Sequence, residues 1–208
     1  MSDATITFLE NDIKKFEDAA RFAHTEGVKN ECLYLAEKLG LSADETRALT
    51  VAALCHDITK NLSVGDHRAL CERHGIKYSQ SPVLHQDTAA PFIAEKYGNM
   101  PEICDERVLS AVSKHTTGGD GMTLIDTALF VADFTEAGRK YENCAKMREY
   151  LHAECDKIKE NGASAQKALY QTAEKICELT VEHLKAKGAD IDPRTYKTLD
   201  IMRRRSKE

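Results

Sequence analysis

An all-α fold is what this sequence predicts, and three observations predict it. Glycine (11) and proline (4) are sparse in 208 residues. β-Branched runs are short, and apolar residues recur at three- and four-residue steps along most of the chain. Apolar residues make up 42% and charged residues 30%, enough for one well-filled core with a solvated surface. The expected architecture is a single helical bundle over 1–208, with its chemistry in 21–139 and supporting helices in 140–208.

The elements follow in order. Asp12 to Leu39 reads as helix through Phe16, Ala19, Ala20, Phe22, Ala23 and Gly27, and Leu39-Gly40-Leu41 stops it. Ser42-Ala43-Asp44-Glu45 reads as a capping box, opening a helix that runs through the apolar stretch Leu49 to Cys55 into His56-Asp57 and ends at Lys60-Asn61. A short charged helix spans Asp66 to His74. Tyr78 to Pro82 is expected as a loop, with Pro82 setting the turn before His85. Helices are expected over Asp87–Tyr97, Glu102–His115 and Met122–Ala137, the last two separated by the glycine-rich Thr116–Gly121. Cys144–Lys159 and Ser164–Lys187 are amphipathic, and Asp192 onward reads as a polar tail in which Arg203-Arg204-Arg205 is solvated.

Composition excludes some functions. A net charge of −5 does not suit a broad nucleic-acid surface, and no stretch of about twenty apolar residues is present to span a membrane. The seven cysteines are odd in number, lack C-x-x-C spacing and follow no secretion signal. Reduced thiols in a cytoplasm are therefore expected. The amphipathic C-terminal helices could also pair two copies of the chain.

The chemistry sits in residues whose type contradicts their surroundings. His56-Asp57 ends an apolar run, Asp133 lies within Leu129-Phe130-Val131-Ala132-Asp133-Phe134, and His24 lies on a face with alanine and phenylalanine. Burying such groups costs several kcal/mol unless they are paired or bound to metal. Singly, His24 reads as a partly buried histidine, and His115 as a helix C-terminal residue favoured by the dipole. Convergence on a cation explains His24, His56, Asp57 and Asp133 together, and His85 with His115 could complete a second metal position. Imidazole and carboxylate donors suit Fe, Mn, Co or Zn. His67, His74, His152 and His183 lie in polar stretches and are expected in solvent.

The segments Arg21–Val28 and Ala52–Lys60, then His85, His115–Leu124 and Phe130–Arg139 resemble the bacterial HD-domain symmetrical bis(5′-nucleosyl)-tetraphosphatases, the YqeK-like family. The likeness covers roughly residues 10 to 190, and the block from His115 to Arg139 is its specific part. It implies a helical HD fold and cleavage of diadenosine tetraphosphate into two ADP at a pair of transition-metal ions, with iron foremost. It implies that His24, His56, Asp57 and Asp133 hold one ion, and that Asp57 bridges to a second held by His85 and His115. Catalysis would then fall to Asp57, Lys60, His85 and His115. Substrate would lie against these and against Arg21, His24, Ile58, Thr59, Thr116, Asp133 and Arg139. The chain departs from the family at Gln86-Asp87, at Thr127 and at Ala137, none of which is an implied metal ligand. Two other readings fit the same residues. One is an HD phosphohydrolase acting on a nucleoside monophosphate, a cyclic dinucleotide or guanosine tetraphosphate. The other is a helical module that binds metal or nucleotide without turnover.

Overall fold

The computed structural model describes residues 3–78, 83–157 and 162–207. Among the described residues there are ten α-helices and no strand, the all-α class the composition calls for. The expected Asp12–Leu39 helix starts only at Ala19, behind a separate helix that was not expected. α1 (Asp3–Ile13) ends in a turn where the Lys15 and Phe16 amides donate to the Asp12 and Ile13 carbonyls (3.0 and 2.8 Å). α2 (Ala19–Leu39) starts afresh at Asp18, whose carboxylate accepts from the Arg21 amide at 2.8 Å. Apolar periodicity runs through a short turn without registering it; the N-capping aspartate is what marks the break.

α3 (Ala43–Cys55) opens on the expected capping box, with Ser42 Oγ accepting from the Glu45 amide and the Glu45 carboxylate accepting from the Ser42 amide. Every residue from Ala48 to Cys55 is buried, because α3 packs against α1, α2, and the later helices α6 (Glu106–Val112) and α7 (Leu124–Thr135). A helix covered all round must be apolar all round. α3 stops at Cys55, short of the expected Lys60-Asn61. Beyond it, the Ile58, Lys60 and Leu62 amides bond back three residues to Cys55, Asp57 and Thr59 (3.2, 2.8 and 3.0 Å), a run of tight turns. His56 and Asp57 thus stand at the end of the core helix rather than within it.

α4 (Val64–Arg73) packs on α5 (Leu84–Tyr97). α5 begins three residues earlier than expected, which puts His85 in its first turn. Residues 79–82 of the expected loop, Pro82 included, lie outside the described residues. α6 is shorter than the expected Glu102–His115: Asp105 caps it, residues 101–103 form a turn before it, and His115 lies in the turns after it. α7 is opened by a reciprocal Thr123–Asp126 cap and closes at Thr135, with Glu136 as its C-cap.

α8 (Glu142–Asp156) and α9 (Gly162–Ala186) match the expected amphipathic helices, but the polar tail is a tenth helix. α10 (Pro193–Arg205) starts with Asp192 as cap and proline in its first turn, the arrangement proline favours, and buries Thr195, Thr198, Leu199 and Met202 while packing along α9. Arg203 and Arg204 are exposed, as expected, but two of the three terminal arginines also make contacts. Arg203 pairs with Glu178 at 2.8 Å, and the Arg205 guanidinium lies over the Tyr170 ring, 5.3 Å from the centroid. Two of the histidines expected in solvent also differ. His67 is buried, with Nδ1 2.8 Å from Thr88 Oγ1, and His152 meets Glu31 at 2.9 Å. All seven cysteines are unpaired and six of them are buried, as small hydrophobes are.

α10 also reaches back to the glycine-rich loop. Thr198 Oγ1 donates to the Thr117 carbonyl at 3.0 Å, and Arg194 pairs with Asp87 of α5. Gly118 and Gly121 both have positive φ (67° and 62°), but only at Gly118 would a Cβ collide with Thr198. Gly121→Ala is expected to cost only the backbone term of about 1–2 kcal/mol. Gly118→Ala should cost distinctly more, because α10 must also shift. Chemical denaturation of the two variants side by side measures the difference.

Candidate metal centre

The six side chains singled out in the sequence converge. His24 comes from the second turn of α2, His56 and Asp57 from the end of α3, and His85 from the first turn of α5. His115 follows α6, and Asp133 lies in the last turn of α7. His24 Nε2 is 2.9 Å from Asp133 Oδ1. His56 Nε2 is 3.7 Å from Asp57 Oδ2 and 3.9 Å from Asp133 Oδ1. His85 Nε2 and His115 Nε2 each lie 3.4 Å from Asp57 Oδ1, and 3.1 Å from one another.

Hydrogen bonds set the direction of three rings. His24 Nδ1 meets Glu136 Oε1 at 3.1 Å, and His56 Nδ1 and His115 Nδ1 meet the Ala53 and Val112 carbonyls, both at 2.7 Å. A carbonyl only accepts, so Nδ1 of His56 and of His115 carries the proton and Nε2 keeps its lone pair for the centre. This is how metal-binding imidazoles are held. His56 Nε2 and Asp57 Oδ1 are buried without a hydrogen-bond partner, and buried polar atoms of that kind require an explanation. A shared cation would supply it. His24, His56 and Asp57 form one group, and Asp57, His85 and His115 another, with ligand atoms inside each group within 4.8 Å of one another. Two ligands at about 2.1 Å from one ion lie about 3.0 Å apart at a right angle and about 3.4 Å apart at the tetrahedral angle. The 3.1 and 3.4 Å separations of the second group fit those spacings.

Three cationic side chains ring the acids. Arg21 Nη1 is 2.7 Å from Asp57 Oδ2, Lys60 Nζ is 3.7 Å from Asp57 Oδ1 and 2.8 Å from His85 Nε2, and Arg139 Nη2 is 2.6 Å from Asp133 Oδ1. Each is about one-third exposed, so each can also face a ligand. Burial would raise the Asp57 pKa, but His56, His115 and Lys60 hold it well below the usual carboxylate range. Burial acts likewise on Asp133 and is overcome by Arg139 and His24. Burial lowers the His56 pKa to about 4 despite both acids, keeping its imidazole neutral. The His24 pKa moves the other way, because Asp133 and Glu136 outweigh its burial. Thr116 Oγ1 lies 3.0 Å from His85 Nε2, on the rim of the second group.

Two residues implied to lie against substrate are buried with other partners. Ile58 is 2% exposed and belongs to the apolar core. Thr59 is fully buried, and its hydroxyl donates to the His85 carbonyl at 2.9 Å; it positions His85. Other supports carried no sequence signal of their own. Glu136 orients His24. Gln86, fully buried, accepts from the Thr116 and Thr117 amides through Oε1 (2.8 Å each), tying the His85 segment to the His115 segment.

Residues 21–145 match the HD domain family. The chain belongs to that family. Within it, the chain is 33% identical over 132 residues to a symmetrical bis(5′-nucleosyl)-tetraphosphatase of Halalkalibacterium halodurans, a match covering 62% of this chain and 67% of that protein. It is 29% identical over 132 residues to the one of Bacillus subtilis, covering 62% and 68%. The Staphylococcus aureus protein of the same name is 26% identical over 160 residues, 74% of each chain. The fold is similar to the crystal structure of an HD superfamily hydrolase of Clostridium acetobutylicum, described as involved in NAD metabolism. That comparison gives a TM-score of 0.76 at 20% identity, over 96% of this chain and 97% of that one. The resemblance stated from the motifs therefore holds at the level of the family. No helix among the described residues of this HD hydrolase is long and apolar enough to cross a membrane.

Two outcomes follow. Outer partners that orient a metal-binding imidazole are worth about 10–100-fold in affinity, so Glu136→Ala should weaken Mn²⁺ binding by about that factor, read by calorimetry. Glu17 is 8% exposed and accepts from the Thr25 hydroxyl at 2.9 Å; burial, with help from the Asp57 charge, lifts its pKa to about 7. With a folded pKa of about 7 against 4.5 for the ordinary carboxyl, its protonated form favours folding below pH 4.5, and that contribution is lost as pH rises through 7. In chelator-treated protein, Glu17→Gln should melt a few degrees higher than the parent at pH 8 and no higher at pH 4.5.

Proposed function

We propose that this HD hydrolase is a cytoplasmic, metal-dependent enzyme that splits diadenosine tetraphosphate at its central anhydride into two ADP. The names of its curated relatives support the substrate. The observation that carries the reading is Asp57, whose two carboxylate oxygens are shared between the two histidine groups. A bridging carboxylate is what a two-ion phosphoryl-transfer site needs. His24, His56, Asp57 and Asp133 would hold one ion, and His85, His115 and Asp57 the other, with iron as the first candidate and Mn, Co or Zn accepted by the same donors. Bound there, the pair would supply Lewis acidity toward a phosphoryl oxygen and make water a better nucleophile at neutral pH.

The chain's own groups do the rest. Arg21 and Lys60 stand on either side of Asp57 and Arg139 beside Asp133, so a polyphosphate laid across the centre meets guanidinium or ammonium along its length. Arginine can grip phosphate oxygens through two parallel N–H donors, whereas Lys60 offers a point charge. The Thr116 hydroxyl can donate to a phosphate oxygen beside His85. Held this way, the two central phosphates are oriented for in-line attack. Bond breaking at the bridging oxygen releases one ADP, and water leaves its oxygen on the other.

Elemental analysis of protein purified without chelator, paired with a nucleotide panel, tests this. ADP as sole product from diadenosine tetraphosphate supports the reading, and pyrophosphate from guanosine tetraphosphate replaces it with the rival. Asp57→Ala should lose metal and hydrolysis together. Unchanged hydrolysis in that variant would place the site elsewhere.

A further inference from the structure

Two cavities open beside the centre, and α9, which lies outside the family match of residues 21–145, forms part of the wall of both. The first, of about 660 Å³, begins at Thr116 and is lined by Val83 and Ile191. The second, of about 510 Å³, begins at Arg139 and is lined by Phe134 and Tyr141. They share Thr180 and Leu184 of α9, one helical turn apart. Each therefore lies on one flank of the same ridge. The Thr116 cavity starts at the hydroxyl that touches His85, and the Arg139 cavity at the guanidinium that holds Asp133. One cavity leads away from each histidine group. Both volumes fall in the roughly 300–1,000 Å³ range of small-molecule sites.

We infer that these are the two nucleoside sites, one for each end of a dinucleoside polyphosphate whose phosphates cross the centre, with α9 and α10 supplying base selectivity. The inference rests on the proposed function and adds the residues that would recognise the substrate's ends. A molecule cut at its middle presents an identical nucleoside on each side of the scissile bond. It needs a recess on each side, which a mononucleotide or a lone polyphosphate does not. The chemistry of the walls suits a purine. Tyr141 is 76% exposed at the Arg139 cavity, where an uncovered ring offers a stacking face to a base. In the Thr116 cavity, Val83, Ile191 and Leu184 give an apolar slot, and Asp190 provides an acceptor for ribose hydroxyls or an exocyclic amine.

Calorimetric titration of ADP into Mn²⁺-loaded protein, with steady-state hydrolysis of diadenosine tetraphosphate, tests it. The wild type should bind two ADP per chain. Ile191→Trp, which fills only the Thr116 cavity, should bind one. Leu184→Trp, which obstructs both, should raise KM at least tenfold with Mn²⁺ content and melting temperature at wild-type values. Tyr141→Ala, at an exposed position, should raise KM several-fold without any change in fold. If the wild type releases ADP from diadenosine tetraphosphate but binds one ADP, or if Leu184→Trp and Tyr141→Ala keep its KM, this inference fails while the proposed function stands. If the wild type fails to split the dinucleotide at all, the proposed function is lost and this inference with it.

Discussion

A carboxylate at 3% exposure in a nest of imidazoles is the constraint from which the rest of this molecule follows. Desolvating Asp57 costs several kcal/mol, and a single cation about 4 Å away offsets about 4 kcal/mol at an effective dielectric of 20. One partner is therefore barely enough, and the fold brings more. Arg21 arrives from α2, Lys60 from the turns after α3, and His85 and His115 from two further segments. The tight turns at residues 56–62 are part of the same solution: a continuing helix would carry Lys60 and Thr59 elsewhere, whereas here Lys60 reaches both Asp57 and His85 while Thr59 ties down the His85 backbone.

Four of the six candidate ligands, His24, His56, Asp57 and Asp133, were legible because they contradict their neighbourhood; His85 and His115 carried no such signal. Asp133 amid Leu129–Phe134 and His56-Asp57 after Leu49–Cys55 are anomalies that desolvation makes expensive, and expense is readable from residue type alone. Glu136 sits at a helix end, where a carboxylate is unremarkable, and its bond to His24 exists only once α2 and α7 are packed together. Gln86 is polar and next to a histidine, but its two accepted amides come from a loop thirty residues away. Long-range hydrogen bonds of this sort leave no periodic trace.

Among the elements, the helices from α2 to α9 were readable and the two terminal ones were not. α10 carries polar and basic residues over most of its surface, and only Thr195, Thr198, Leu199 and Met202 go inside, so its apolar stripe is too thin to stand out. Its local signal was the Asp192-Pro193 pair, a cap followed by a residue already set for the first turn. The consequence reaches beyond boundary assignment. The HD core contains the metal-binding candidates, yet the loop after His115 is braced by Thr198, and α5 by Arg194. These two contacts join the C-terminal third to the segments that carry His85 and His115.

The surroundings of Glu136 impose a further condition. A Cβ on Gly27 or on Gly138 would overlap its carboxylate, and the Gly138 amide donates to that same carboxylate. Gly27 and the distant pair Glu136 and Gly138 thus share one volume that holds a single acid and nothing more. In a survey of viable variants, residues 27, 136 and 138 would drift as a set: gain of a methyl group at either glycine becomes tolerable only where the acid has shortened, and a shortened acid no longer steers His24.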